Sequence, residues 1–148
     1  VVTGHQAELV EQALEGLQLK FVRNPEFAGG LASSVKAGIA AVSDKADGAV
    51  VCLGDMPLID AQLIDRLIEA FAPDRGHLIT VPVAAGRRGN PVLWSRRFFG
   101  ELMTLDGDTG ARHLIAKHAE AVSEVPVEGE SAFLDIDTPQ GLEAARRG

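Results

Sequence analysis

Short apolar runs alternate along this chain with stretches in which apolar residues recur every three or four positions. The first pattern suits covered β-strands and the second suits helices with one buried stripe. Residues 1–3 read as the end of a strand that turns at Gly4-His5. In residues 6–17, Ala7, Val10, Ala13, Leu14 and Leu17 mark an amphipathic helix. Residues 20–23 form a short strand closed by Asn24-Pro25, and a loop with Gly29-Gly30 leads into a helix over residues 33–42. Residues 47–53 make the clearest buried strand, with Ala-Val-Val-Cys-Leu at its centre. Asp60 then caps a helix that turns Leu63, Leu67, Ile68 and Phe71 inward. Residues 77–83 and 90–94 read as an antiparallel strand pair joined by Gly86-Arg87-Arg88-Gly89. Helices over 97–103 and 109–118, strands over 122–127 and 132–134, and a last helix entered at Thr138-Pro139 complete the order.

That order, βαβαβα followed by a strand-rich section with inserted helices, predicts an α/β fold with a mainly parallel central sheet flanked by helices. The 148 residues fit a single domain, 1–148, without a repeat or an internal linker. With 46% hydrophobic and 24% charged residues and no low-complexity tract, the chain is expected to be globular. Apolar runs such as residues 49–53 are too short to cross a bilayer, so no membrane partner is expected. The single cysteine, Cys52, excludes an internal disulfide framework and reads as a small buried hydrophobe on a strand. With no secretory signal ahead of the first segment, the expectation is a cytoplasmic protein. The chain begins at Val1, inside an apparent strand, and it is expected to lack an N-terminal part.

The net charge of −7, from 21 acids against 14 bases, argues against nucleic acid bound on a broad basic face. It leaves room for a small phosphorylated substrate, because a divalent metal between carboxylate and phosphate reverses the local sign of charge. In α/β sheets ligands sit beyond the carboxyl ends of the strands. That rule selects the loops at residues 29–34, 54–57, 86–91 and 135–139.

In Gly54-Asp55-Met56-Pro57 a carboxylate follows a buried strand directly. It can serve as a magnesium ligand, since this hard cation takes one or two carboxylates plus substrate phosphate. A turn aspartate bonded to local backbone amides is an equal alternative. Asp135 and Asp137 alternate onto one side of a strand around Ile136 and could share a cation, although a helix-capping Asp137 beside a solvated Asp135 is the simpler reading. The segment from Gly29-Gly30 through Ser33-Ser34 to Gly38 runs into a helix whose first turn presents amides and a positive dipole end. Ser33 or Ser34 can cap that helix or meet a base or ribose. Arg112, after Asp106-Gly107-Asp108-Thr109-Gly110-Ala111, suits a substrate phosphate or simply a surface helix start. His113 and His118, five apart, lack the spacing of a zinc pair, and no Gly-x-Ser-x-Gly elbow occurs.

Taken in order, these segments resemble the MobA-like nucleotidyltransferase family. The landmarks are Val2-Thr3-Gly4-His5, Asn24-Pro25, Gly29-Gly30 with Ser33-Ser34-Val35-Lys36-Ala37-Gly38, and Gly54-Asp55-Met56-Pro57. Gly89-Asn90-Pro91-Val92-Leu93, Gly107-Asp108-Thr109-Gly110-Ala111-Arg112 and Asp135-Ile136-Asp137-Thr138-Pro139 complete the set, which covers nearly the whole chain. Ser-Ser-Val-Lys-Ala-Gly is closer to the cytidylyltransferase branch than to the guanylyltransferase branch, and is similar to the base-binding loop of the cytidylyltransferase of isoprenoid synthesis. The resemblance implies a Rossmann-like sandwich of the nucleotide-diphospho-sugar transferase type. It also implies transfer of CMP from CTP to the phosphate of a molybdopterin-type acceptor, with Mg2+ as cofactor and pyrophosphate leaving. Asp55 is then the catalytic metal ligand, followed by Asp137 and Asp135; Gly30, Ser33 and Ser34 line the nucleotide, and Asn90, Pro91 and Arg112 the acceptor. The family's glycine-rich phosphate loop and first central strand fall upstream of Val1 in this comparison. A sugar-phosphate or methylerythritol-phosphate nucleotidyltransferase, and a non-catalytic carrier serving a molybdenum enzyme, are the alternatives.

Overall fold

The computed structural model describes residues 1–108, 110–128 and 136. Backbone contacts gather them into two compact units: residues 1–47 with the described residues of 96–118, and residues 48–95 with the described residues from 119 on. The strand expected at 132–134, the helix expected at Thr138-Pro139, and both Asp135 and Asp137 lie outside the described residues.

In the first unit β1 (Val2–Thr3) and β2 (Val22–Arg23) pair in parallel, Val2 opposite Val22 and Thr3 opposite Arg23. Helix α1 (Ala7–Ala13) crosses between them. It is shorter than the apolar pattern predicts, and none of its residues is buried; Val10 and Leu17, expected on its inner face, are 40% and 60% exposed. Helix α2 (Leu31–Ala40) begins two residues before the expected start and buries Ala32 and Ile39. Arg96–Phe98 forms a single helical turn that continues into α4 (Phe99–Leu102), and α5 (Arg112–Lys117) adds Leu114 and Ile115 to the buried set. Lys117 Nζ and His118 Nε2 both meet the Glu101 carboxylate, at 2.8 and 3.0 Å, joining the end of α5 to α4.

The second unit is built on a sheet of β3 (Gly48–Val51), β4 (Ile79–Ala84), β5 (Arg87–Arg88), β6 (Val92–Ser95) and β7 (Val122–Pro126). β6 lies antiparallel between β3 and β4, and β7 pairs in parallel with β4, so β3, β4 and β7 share one direction. All four residues of β6 are buried, as are Ile79, Thr80, Val81 and Pro82 of β4. β3, the clearest buried strand in the sequence pattern, is only half-buried, since β6 is its one partner among the described residues. It also stops at Val51 rather than Leu53. The ladder ends at Val51 opposite Val92, where the next partner, Pro91, has no N–H to give. Cys52 therefore lies beyond the strand at an exposed position and not in the core, although its surroundings shield it enough to push the thiol pKa up.

Helix α3 (Ala61–Ala70) starts where expected: the Asp60 carboxylate accepts from the Leu63 amide at 2.8 Å. Leu63 and Leu67 pack with Val125 of β7, while Ile68, expected inside, is 50% exposed. Thr80 is fully buried, and its hydroxyl donates to the Leu67 carbonyl at 3.0 Å, tying β4 to α3. The hairpin after β4 turns at Ala85-Gly86, both at positive φ, which leaves Arg87 and Arg88 as strand β5 and not as part of the turn.

Candidate functional site

In the second unit the register brings several sequence-predicted residues to one sheet edge. The carboxyl ends of β3 and β4 point there, and so does the start of the reversed strand β6. Asp55 and the Asn90-Pro91 segment thus share this edge. The Asp55 side chain is exposed, and among the described residues it has no hydrogen-bond or ion-pair partner. The turn aspartate bonded to nearby amides, which the sequence alone leaves equally open, is not what these residues show. The Asp55 carbonyl accepts from the Ile136 amide at 2.9 Å. Ile136 is flanked in the sequence by Asp135 and Asp137. Beside it Met56 is 4% exposed, so the loop is buried at Met56 while the Asp55 carboxylate is open to solvent.

The residues present suit a hard divalent cation. An unpaired carboxylate oxygen is the donor Mg2+ prefers, and it needs only one or two such groups when substrate phosphate completes the shell. No three His, Cys, Asp or Glu side chains gather among the described residues, so the fit there rests on Asp55. Asn90 is half-buried without a side-chain partner among the described residues, and Pro91 is fully buried. Pro91 can therefore act by holding the loop that carries Asn90.

In the first unit Gly30, Ser33 and Ser34 come together at the start of α2. Gly30 sits at φ 97° and ψ 175°, and a methyl group on it would stand 2.4 Å from Asp108 Oδ1 and 2.8 Å from the Gly107 carbonyl. The reason is a loop crossing over the helix start. Asp108 Oδ1 accepts from the Leu31 amide at 3.2 Å, and the Gly107 carbonyl from the Ala32 amide at 3.1 Å. These amides, which the sequence offers as free donors for a ligand, are occupied. Neither serine is the helix cap. Both hydroxyls instead meet Asn24, which is buried at the end of β2: its amide nitrogen donates to Ser33 Oγ at 2.8 Å and to Ser34 Oγ at 3.1 Å. Asn24 Oδ1 accepts from the Glu26 amide at 3.0 Å. Arg112, the first residue of α5, is exposed and without an ion pair among the described residues.

Sequence reading missed Asn24 and Asp108 as side chains of the site. Asn24 and Asp108 stood among the family landmarks, Asn24 also as a strand-closing residue, but neither with a side-chain role, and Asp108 meets a residue 77 positions away, beyond the reach of any local pattern.

Strands β3, β4 and β7 of one direction, flanked by helices, with Asp55 unpaired among the described residues just beyond β3, make an arrangement that suits an α/β nucleotidyltransferase. Comparison with known proteins agrees: residues 1–122 match the model of the MobA-like NTP transferase domain. The chain belongs to that family. It is 30% identical over 149 aligned residues to molybdenum cofactor cytidylyltransferase of Escherichia coli, covering 99% of this chain and 72% of that protein. The crystal structure of Rv0371c from Mycobacterium tuberculosis superimposes with a TM-score of 0.77 at 31% identity, over 99% of this chain and 74% of that one. The same protein in complex with manganese gives 0.76 at 30% identity, over 99% and 76% of the two chains. The bifunctional protein GlmU of Acidovorax ebreus is 37% identical over 130 residues, which are 82% of this chain and 24% of that protein. Among the described residues no helix is long and apolar enough to cross a membrane.

Proposed function

We propose that the protein transfers CMP from CTP to the terminal phosphate of a molybdopterin-type acceptor, releasing pyrophosphate. The observation that carries this reading is the Asp55 carboxylate, open and unpaired among the described residues, in a chain matched nearly end to end by a molybdenum cofactor cytidylyltransferase. In the reaction an acceptor phosphate oxygen forms a bond to the α-phosphorus, and the bond from that phosphorus to the bridging oxygen of pyrophosphate breaks. Such chemistry depends on positioning and charge neutralisation, not on a covalent enzyme intermediate.

Asp55 is the main residue for Mg2+ in this reading, with Asp137 and then Asp135 as further ligands, a role supported by the Ile136–Asp55 backbone bond. Bound there, Mg2+ supplies positive charge against the triphosphate. Ser34, with Gly30 and Ser33 shaping its loop, faces the nucleotide. Asn90 and Arg112 face the acceptor in this reading, Arg112 offering a guanidinium that has no ion pair among the described residues to a phosphate and Pro91 fixing the Asn90 loop. The Ser33–Gly38 segment favours cytidine over guanosine. A cytoplasmic setting suits these substrates.

The test is release of pyrophosphate by the purified protein with magnesium, molybdopterin-type acceptor and each nucleoside triphosphate in turn. Preference for GTP or ATP in kcat/KM would overturn the CTP assignment. The GlmU similarity favours a second reading, a sugar-phosphate acceptor, which the same assay separates by replacing the pterin with sugar phosphates.

A further inference from the structure

The hydrogen bonds around Asn24 fix their own direction. The Glu26 N–H can only donate, so the atom it meets at 3.0 Å is Asn24 Oδ1, and the amide nitrogen faces the two serines. Each serine oxygen accepts from that nitrogen, so each hydroxyl hydrogen must point elsewhere. The hydrogen of Ser33 is used: the carbonyls of Gly30 and Glu26 both lie 2.9 Å from its oxygen. The hydrogen of Ser34 has no acceptor among the described residues.

We propose that Asn24 is a positioning residue for nucleotide recognition: it fixes Ser34 as a hydrogen-bond donor and commits Ser33 to holding the loop. The ligand atom facing Ser34 is then an acceptor, such as a base carbonyl, a ring nitrogen or a ribose oxygen. This rests on the reading of Ser34 as a nucleotide contact and divides two serines that the sequence leaves equivalent.

Asn24→Asp keeps the acceptor for the Glu26 amide but removes the donor, so the Ser34 hydroxyl turns inward onto the carboxylate. The expected result is a rise in KM for CTP of about fivefold, the worth of one neutral hydrogen bond, with kcat nearly unchanged. Inhibition by magnesium tripolyphosphate, which has no base or ribose, should stay as in the wild type. In a Ser34→Ala background Asn24→Asp should add nothing, whereas Ser33→Ala should lower the melting temperature. A KM at the wild-type value in Asn24→Asp, with a raised KM in Ser34→Ala, would overturn the role of Asn24 and leave the nucleotide reading intact. Equal weakening of tripolyphosphate, or additive effects of the two substitutions, would also overturn it. Wild-type behaviour of Ser34→Ala would remove the nucleotide reading of Ser34 itself. CTP analogues lacking one acceptor each, at base O2, base N3 or ribose O2′, test the unmodified protein: one should lose about fivefold against wild type and nothing against Ser34→Ala. No loss with any of the three would refute the donor assignment.

Discussion

Gly29 and Gly30 are neighbours in sequence, yet alanine should affect them very differently. Gly30 occupies a backbone region, φ 97° and ψ 175°, that is open essentially to glycine alone, which costs another residue about 1–3 kcal/mol. Its new methyl group would also stand 2.4 Å from Asp108 Oδ1 and 2.8 Å from Gly107 backbone atoms. Relieving that overlap means moving the loop off the start of α2, with loss of the bonds to the Leu31 and Ala32 amides. Each is worth about 1 kcal/mol, so Gly30→Ala should destabilise by about 3–5 kcal/mol in all. For a chain of this size that lowers the melting temperature by about 10 °C. A methyl group on Gly29 meets nothing within 4 Å, and its φ is not positive, so Gly29→Ala should stay within about 0.5 kcal/mol of wild type. Urea denaturation of the two variants, followed by circular dichroism, makes the comparison. Equal midpoints for Gly29→Ala and Gly30→Ala would refute the claim that the Gly107-Asp108 loop packs on Gly30.

Leu67→Ala, at a fully buried position between α3 and β7, should cost about 2–5 kcal/mol in urea denaturation. The hydrogen bonds from Lys117 and then His118 hold the Glu101 carboxyl below its ordinary value of 4.5, so their contribution is full above that pH and fades as pH falls through the lowered pKa. Glu101→Gln should therefore flatten the acid limb of the stability–pH curve, and an unchanged limb would exclude this pair as its source.

Among the described residues the α/β order, the approximate places of most strands and the Asp60 cap were legible because each rests on local spacing or on a residue within a few positions of its partner. Boundaries moved where the cause was tertiary. β3 stops early because Pro91, forty residues on in the sequence, ends its ladder, and α2 starts early because a distant loop covers its first amides. The apolar stripe of α1 looked like a core face and is exposed, since periodicity reports an amphipathic helix without saying what packs on it. At the site, the residue types were visible but not their duties. Nothing in the sequence distinguishes Ser33, whose hydrogen two carbonyls can take, from Ser34, whose hydrogen has no acceptor among the described residues.

The same limit applies to three aspartates that look alike in sequence, each beside a turn or helix start. Asp60 Oδ1 holds the Leu63 amide and Asp108 Oδ1 holds the Leu31 amide, whereas the Asp55 carboxylate holds no group among the described residues. Substitution should separate these roles. Asp60→Ala and Asp108→Ala each remove an acceptor from a helix's first turn and should cost about 1 kcal/mol of stability. Asp60→Ala should leave turnover per folded molecule near wild type. Asp55→Asn keeps the shape of an exposed side chain, so its melting temperature should not change. It removes the negative charge proposed to hold the divalent ion at the triphosphate, and loss of a few kcal/mol of transition-state stabilisation lowers kcat by about a hundredfold or more. The measurement is pyrophosphate release against magnesium concentration, beside a melting curve for each variant. Asp55→Asn with near-normal turnover and unchanged magnesium dependence would show that an open carboxylate at this strand end is not a metal ligand.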